Sequence, residues 1–237
     1  MASIEEKLNG VKQRVAAACA KAGRDAGTVG IVVVTKTVDA AVIRTLVGLG
    51  VQEIGENRVQ DAARKADALF GPSADSQPAL PRSCLRLHLI GHLQTNKAAQ
   101  AVRLFDMTHS VDSPRLAEAI SRAAVAQQKL MPVLLEVNVS GEESKYGFTP
   151  DAAFEAAPQI AAMPGLRLDG LMTMAPLGAD EPTIRSVFRG LRELSARIST
   201  HHHLTLPHLS MGMSQDFELA IEEGATLLRI GTAIVGE

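Results

Sequence analysis

Lys36 closes the run IVVVTK, and two-residue alternation places Val32, Val34 and Lys36 on one side of an extended segment. If that side faces inward, apolar walls disfavour the ammonium form and leave an amine suited to Schiff-base formation; the alternative is a lysine reaching out to solvent. Two later segments carry anion-binding chemistry. SMGMSQD, from Ser210 through Met211 and Ser214 to Asp216, offers hydroxyls and a glycine ahead of a helical pattern, and RIGTA offers Gly231 and Thr232. Either segment alone reads equally well as ordinary local structure, with Ser214 capping its helix and Gly231 permitting a turn. Both together with Lys36 favour a ligand bearing a carbonyl and a phosphate: a sugar phosphate or pyridoxal 5'-phosphate (PLP). Arg229 lies two residues before Gly231 on the same strand face, where a guanidinium suits the pyridine nitrogen of PLP. Its plainer alternative is an ion pair with a barrel carboxylate such as Glu56.

The elements that must position these residues repeat. An amphipathic helix over Ile4 to Lys21, with Ser3 and Glu6 as a capping box, precedes the first strand. Strand-type runs then recur at Gly30–Lys36, Val51–Asn57, Leu85–Gly91, Phe105–Asp112, Pro132–Val139, Leu166–Met174, Leu206–Met211 and Leu227–Gly231. Helical patterns follow them, with start signals at Asp39, Ser113-Pro114, Thr149-Pro150 and Ser214. A strand and a helix every 25 to 30 residues or so, in a chain of 237, is the arithmetic of one (β/α)8 TIM barrel over residues 1–237 with an extra N-terminal helix. An open doubly wound sheet is the alternative, but no GxGxxG follows the first strand. In a barrel, function gathers at the C-terminal strand ends, which here read Lys36, Asn57, Gly91-His92, Asp112-Ser113, Asn138, Met172-Thr173, Ser210 to Ser214 and Arg229 to Thr232. His201-His202-His203 lies before the seventh strand, toward the opposite face, and reads as a solvated loop. The Pro-rich stretch 71–83 reads as a surface excursion without chemistry.

Composition excludes several functions. With no Trp, one Tyr (Tyr146) and six Phe, the core is aliphatic and the chain lacks the aromatic platform that single-stranded nucleic acid needs. A net charge of −2 provides no basic field for a duplex, so no nucleic-acid partner is expected. Cys19 and Cys84 form no CxxC pair, and the acidic N-terminus MASIEEKLNG lacks the pattern of a signal peptide, so a cytoplasmic protein is expected. No apolar stretch approaches a membrane span of about 20 residues. Monomer is the default for helices without an obvious apolar excess.

At the segments VVVTK (32–36), GENRVQD (55–61), HLIGHLQTNK (88–97), SVDS (110–113), VNVSGEESKYGF (137–148), GLMTM (170–174), LSMGMSQDFELAI (209–221) and RIGTAIVG (229–236), the chain resembles the PLP homeostasis protein family. That family shares its barrel with the N-terminal domain of alanine racemase. The resemblance implies that Lys36 holds PLP as an internal aldimine, that Ser210, Gly231 and Thr232 hold the phosphate near Ser214 and the Met211 backbone, that Arg229 faces the pyridine nitrogen, and that Asn57 and Met172 line the cofactor. It implies a carrier that buffers PLP and passes it to apo-PLP enzymes in transient contacts. No catalytic residue and no metal site are implied. The alternative is a small racemase-like PLP enzyme. Against that, a guanidinium at the pyridine nitrogen weakens the ring as an electron sink, and a racemase needs an opposing acid/base, which the resemblance to alanine racemase implies is a Tyr from a partner chain's second domain. Tyr146, in the loop after the fifth strand, could reach the mouth but reads better as a packing anchor; Lys145 with Lys97 could make a secondary phosphate contact. The chain departs from the family pattern at Gly236-Glu237, where a truncated or differently capped last turn is expected.

Overall fold

The structure is a computed structural model that describes residues 2–71, 78–142 and 145–236. The chain runs α1 (Ile4–Lys21), β1 (Gly30–Val34), α2 (Ala40–Gly48), β2 (Glu53–Glu56), α3 (Val59–Phe70), β3 (Arg86–Leu89), α4 (Ala98–Leu104), β4 (Met107–Val111), α5 (Pro114–Ala126), β5 (Met131–Glu136), α6 (Pro150–Ala161), β6 (Leu166–Met172), α7 (Glu181–His202), β7 (His208–Ser210), α8 (Phe217–Glu222), β8 (Leu227–Ile230) and α9 (Thr232–Val235). All strands are parallel and pair in chain order, and β1 pairs with β8 to close the barrel. No helix is long and apolar enough to cross a membrane among the described residues.

The caps read from sequence form as expected: Ser3 and Glu6 make the reciprocal capping box of α1, and Asp39, Ser113 and Thr149 each accept an amide of the first turn of their helices. With the helix after β8 only one turn long, α1 packs against α8 and α9 and completes the outer ring. Lys7 donates to the Gly236 carbonyl at 2.5 Å, so α1 also caps the last turn; Glu237 lies outside the described residues.

Alternation sorts the strand residues into two cores. Val33, Ile54, Leu87, Leu89, Val133, Leu135, Leu228 and Ile230 point out beneath the helices, while Val32, Met107, Leu134, Met172 and Leu227 fill the barrel axis. One strand changes phase. Leu166 and Leu168 face the helices, so strict alternation would aim Met172 outward as well; a register shift opposite Val133 and Leu134, with Gly170 at φ 154°, turns it inward.

Three sequence expectations are corrected. His201 and His202 extend α7 instead of forming a loop, packing on the Phe154 ring, and His203 ends the helix in the left-handed region at φ 54°. Helix α8 begins at Phe217, so Ser214 does not cap it; Asp216 holds the cap position. Glu56 points outward, where its Oε1 accepts Lys65 Nζ at 2.7 Å and Thr35 Oγ1 at 2.5 Å, so it is no partner for Arg229. Of the stretch 71–83, residues 72–77 lie outside the described residues.

Candidate functional site

A cavity of about 620 Å³ opens at the C-terminal ends of β1, β7 and β8, walled on its far side by the loop from Ala175 to Ala179. Lys36, Ser214, Arg229, Gly231 and Thr232 all line it. Lys36 stands two residues beyond β1 and is exposed, not buried among apolar walls, because the chain turns out of the barrel at Thr35. Lys36 therefore meets solvent and cavity at once. Val34, the last residue of β1, supplies an apolar surface beside it.

The other wall joins two loops. Ser214 accepts the Ala233 amide at 3.2 Å, tying the turn after β7 to that after β8, and Asp216 accepts the Met213 amide at 2.6 Å to hold the first turn in shape. Burial pushes the Asp216 carboxyl up, opposed by that amide and by Arg229. Gly231 sits against Val34, where an added Cβ would meet the Val34 Cβ at 3.3 Å. Backbone N–H groups and hydroxyls on these loops form the kind of surface that binds a phosphate.

Arg229 forms the floor and is 4% exposed. Its Nη1 donates to Ser210 Oγ at 2.6 Å and its Nη2 to the Thr173 carbonyl at 2.9 Å. Burial pulls its pKa down to about 10, with Asp216 and Glu136 pulling the other way. Fixed at two nitrogens, the guanidinium keeps donor capacity for a group in the cavity.

Several of the residues expected at the site do not line this cavity. Ser210 is wholly buried and lies beneath Arg229 with its hydroxyl engaged, not on the cavity wall. Met211 packs in the outer core and Met172 in the axial core, both fully buried. Asn57 is half-buried at the end of β2, in tight contact with Gly91, where an added Cβ would fall 2.5 Å from the Asn57 carbonyl oxygen. Tyr146 is 59% exposed and stacks on His92 with ring centroids 4.0 Å apart. His92 in turn faces Asp112 at 2.9 Å, so Tyr146 is anchored beside the mouth and off the cavity wall. Lys145 pairs with Glu142 and reaches the Ala175 carbonyl at 3.3 Å, while Lys97 lies in the turn before α4, also off the cavity wall.

Among the buried polar residues that the sequence analysis does not single out are His88, His109 and Glu136. Each stands on an inward position of its strand, RLHL, MTHSV and MPVLLE, so alternation within those runs is the available signal. Glu136 is pushed up to about 7 by burial and by Asp112, against the pull of Arg229.

The family profile described as alanine racemase, N-terminal domain, matches residues 7–237. A pyridoxal phosphate homeostasis protein of Aquifex aeolicus is 40% identical over 232 residues, covering 98% of this chain and 97% of its own. The chain belongs to the pyridoxal phosphate homeostasis protein family. A second member, from Pseudomonas aeruginosa, is 40% identical over 236 residues and covers 100% of this chain and 96% of its own. Among solved structures, PipY of Synechococcus elongatus with PLP bound superposes with a TM-score of 0.83 at 33% identity, covering 99% of this chain and 100% of PipY. Alanine racemase of Clostridium difficile shares the fold, with a TM-score of 0.76 at 12% identity, and this chain spans 56% of its length.

Proposed function

We propose that this chain binds PLP through Lys36 and serves intracellular vitamin B6 homeostasis, buffering the cofactor and delivering it to apoenzymes. The observation that carries the reading is the convergence on one cavity of an exposed lysine amine, a buried guanidinium and the two loops joined through Ser214. The residues fit PLP: the cavity of about 620 Å³ has room for it, Ser214, Gly231 and Thr232 suit its phosphate, and Arg229 on the floor suits its ring nitrogen. When bound, PLP supplies an aldehyde that condenses with the Lys36 amine with loss of water.

Release to other proteins is favoured by the exposure of Lys36. A PLP enzyme excludes water and places a second acid/base over the reacting carbon, whereas Tyr146 is stacked on His92 off the cavity wall. The free cysteines Cys19 and Cys84 suit a reducing cytoplasm, and a monomer that meets apoenzymes transiently fits the exposed mouth.

Purified protein loaded with PLP is expected to be yellow, and borohydride reduction with peptide mapping to place the adduct on Lys36; a chain that takes up no PLP overturns the cofactor. Mixing the loaded protein with an apo-PLP enzyme is expected to restore that enzyme's activity. Fast turnover of D- or L-amino acids by the loaded protein would instead make it a racemase-like enzyme.

A further inference from the structure

Beneath Arg229 the barrel holds an unbroken line of buried polar groups drawn from different strands. Ser210 Oγ lies 2.9 Å from His109 Nδ1, and His109 Nε2 lies 2.9 Å from His88 Nδ1. His88 Nε2 ends the line without a hydrogen-bond partner, 3.9 Å from Glu53 Oε2. Both imidazoles are buried, His109 completely and His88 at 3% exposure, in an axial core otherwise built of Val32, Met107, Leu134, Met172 and Leu227. The assignment of Arg229 to a cofactor does not use these groups.

Counting donors gives the line one direction. Arginine only donates, so Ser210 Oγ accepts from Arg229 and must pass its own proton onward or leave it unpaired in a dry site. The acceptor available is His109 Nδ1, which puts the His109 proton on Nε2 and makes it the donor to His88 Nδ1. The His88 proton then sits on Nε2, facing the Glu53 carboxylate. Reversal would aim a bare lone pair at that carboxylate, so both ends dictate the same order. Burial keeps both rings neutral: it holds His88 down to about 4 with help from Arg86, and His109 well below the usual imidazole range with help from His88 and Arg229.

We infer that His109, acting through Ser210, is a positioning residue that holds the Arg229 guanidinium aimed at the cavity as a fixed donor, and that His88 locks His109 in the one tautomer able to do so. The inference rests on Arg229 facing PLP, and it adds a reason why this arginine holds its aim. Without an acceptor at His109 Nδ1, the Ser210 hydroxyl turns to find another partner and competes with Arg229 for orientation. Glutamine at this position offers a carbonyl to Ser210 and an amide to His88, so it preserves the order of donors.

The first test needs no cofactor. Spectra of isotope-labelled histidine in the PLP-free protein are expected to show neutral His109 and His88, both protonated at Nε2, from about pH 5.5 to 8. A Nδ1 proton or an imidazolium at either ring overturns the order of donors. The second test uses PLP-loaded protein: His109→Leu is expected to release PLP on dilution about tenfold faster than the parent, with His109→Gln within about twofold of it. Equal release from the parent and His109→Leu, or equal acceleration in both variants, overturns the positioning role. If the parent forms no borohydride-stable adduct at Lys36, the cofactor reading has failed, and the histidine spectra still decide the order of donors.

Discussion

Glu136 is the carboxyl most out of place in this barrel, and Glu136→Gln measures by how much. The residue ends β5 on an inward position at 5% exposure, and its pKa is pushed up from an ordinary 4.5 to about 7. Burial is the main cause and Asp112 adds to it, while Arg229 draws it partway back. The folded state thus prefers the neutral acid. Stability from this group is fully present below about pH 4.5 and is lost as pH rises through about 7, where the folded chain must carry a buried carboxylate that the unfolded chain carries in water. A shift of that size amounts to about 3 kcal/mol. Glutamine has nearly the same shape and never ionises, so the variant keeps what the parent loses. In urea unfolding of the PLP-free chain, Glu136→Gln is expected to match the parent near pH 4.5 and to exceed it by about 3 kcal/mol at pH 8, a midpoint higher by about 1 M. A constant difference across that range, or a less stable variant at pH 8, would refute the claim that Glu136 is held neutral.

Two further outcomes test the frame around the site. Lys65→Met strands Glu56, which is 1% exposed and whose Oε2 already lacks a partner, so unfolding experiments should show a loss of about 3 to 5 kcal/mol that Lys65→Met with Glu56→Leu largely restores. Gly170→Ala places a Cβ 1.9 Å from the His208 carbonyl oxygen at a φ of 154°, and a cost of about 3 kcal/mol or more is expected, read as a lower melting temperature; a neutral result would mean that the β6–β7 pairing can slip.

Much of this molecule is legible in the chain because barrel elements are local. A strand that alternates Val33 outward with Val32 and Val34 inward, a capping serine three residues before a glutamate, and a proline at the first helical position act over a turn or two, so all the strands and the caps at Ser3, Asp39, Ser113 and Thr149 follow from neighbours in sequence. The convergence of Lys36 with Ser214, Arg229, Gly231 and Thr232 follows too, since parallel closure in chain order sets β1 beside β8.

Tertiary structure decided what depends on which group a neighbour already occupies. Ser210 stands at the end of its strand as the spacing requires, yet Arg229 and His109 take its hydroxyl, and no local pattern announces a competitor 19 residues or 101 residues away. Ser214 looks like a helix cap until α8 starts three residues later and the Ala233 amide claims the hydroxyl. Met172 faces the axis only because a bulge at Gly170 reverses the alternation of β6. The sequence by itself determined the barrel and the gathering of Lys36, Ser214, Arg229, Gly231 and Thr232 at its mouth, because hydrophobic period and capping are short-range. Only the closed barrel decided the pairing of Glu56 with Lys65 and the buried line from Arg229 to His88, because burial leaves a polar group no water and makes its nearest partner, however distant in the chain, the one that counts.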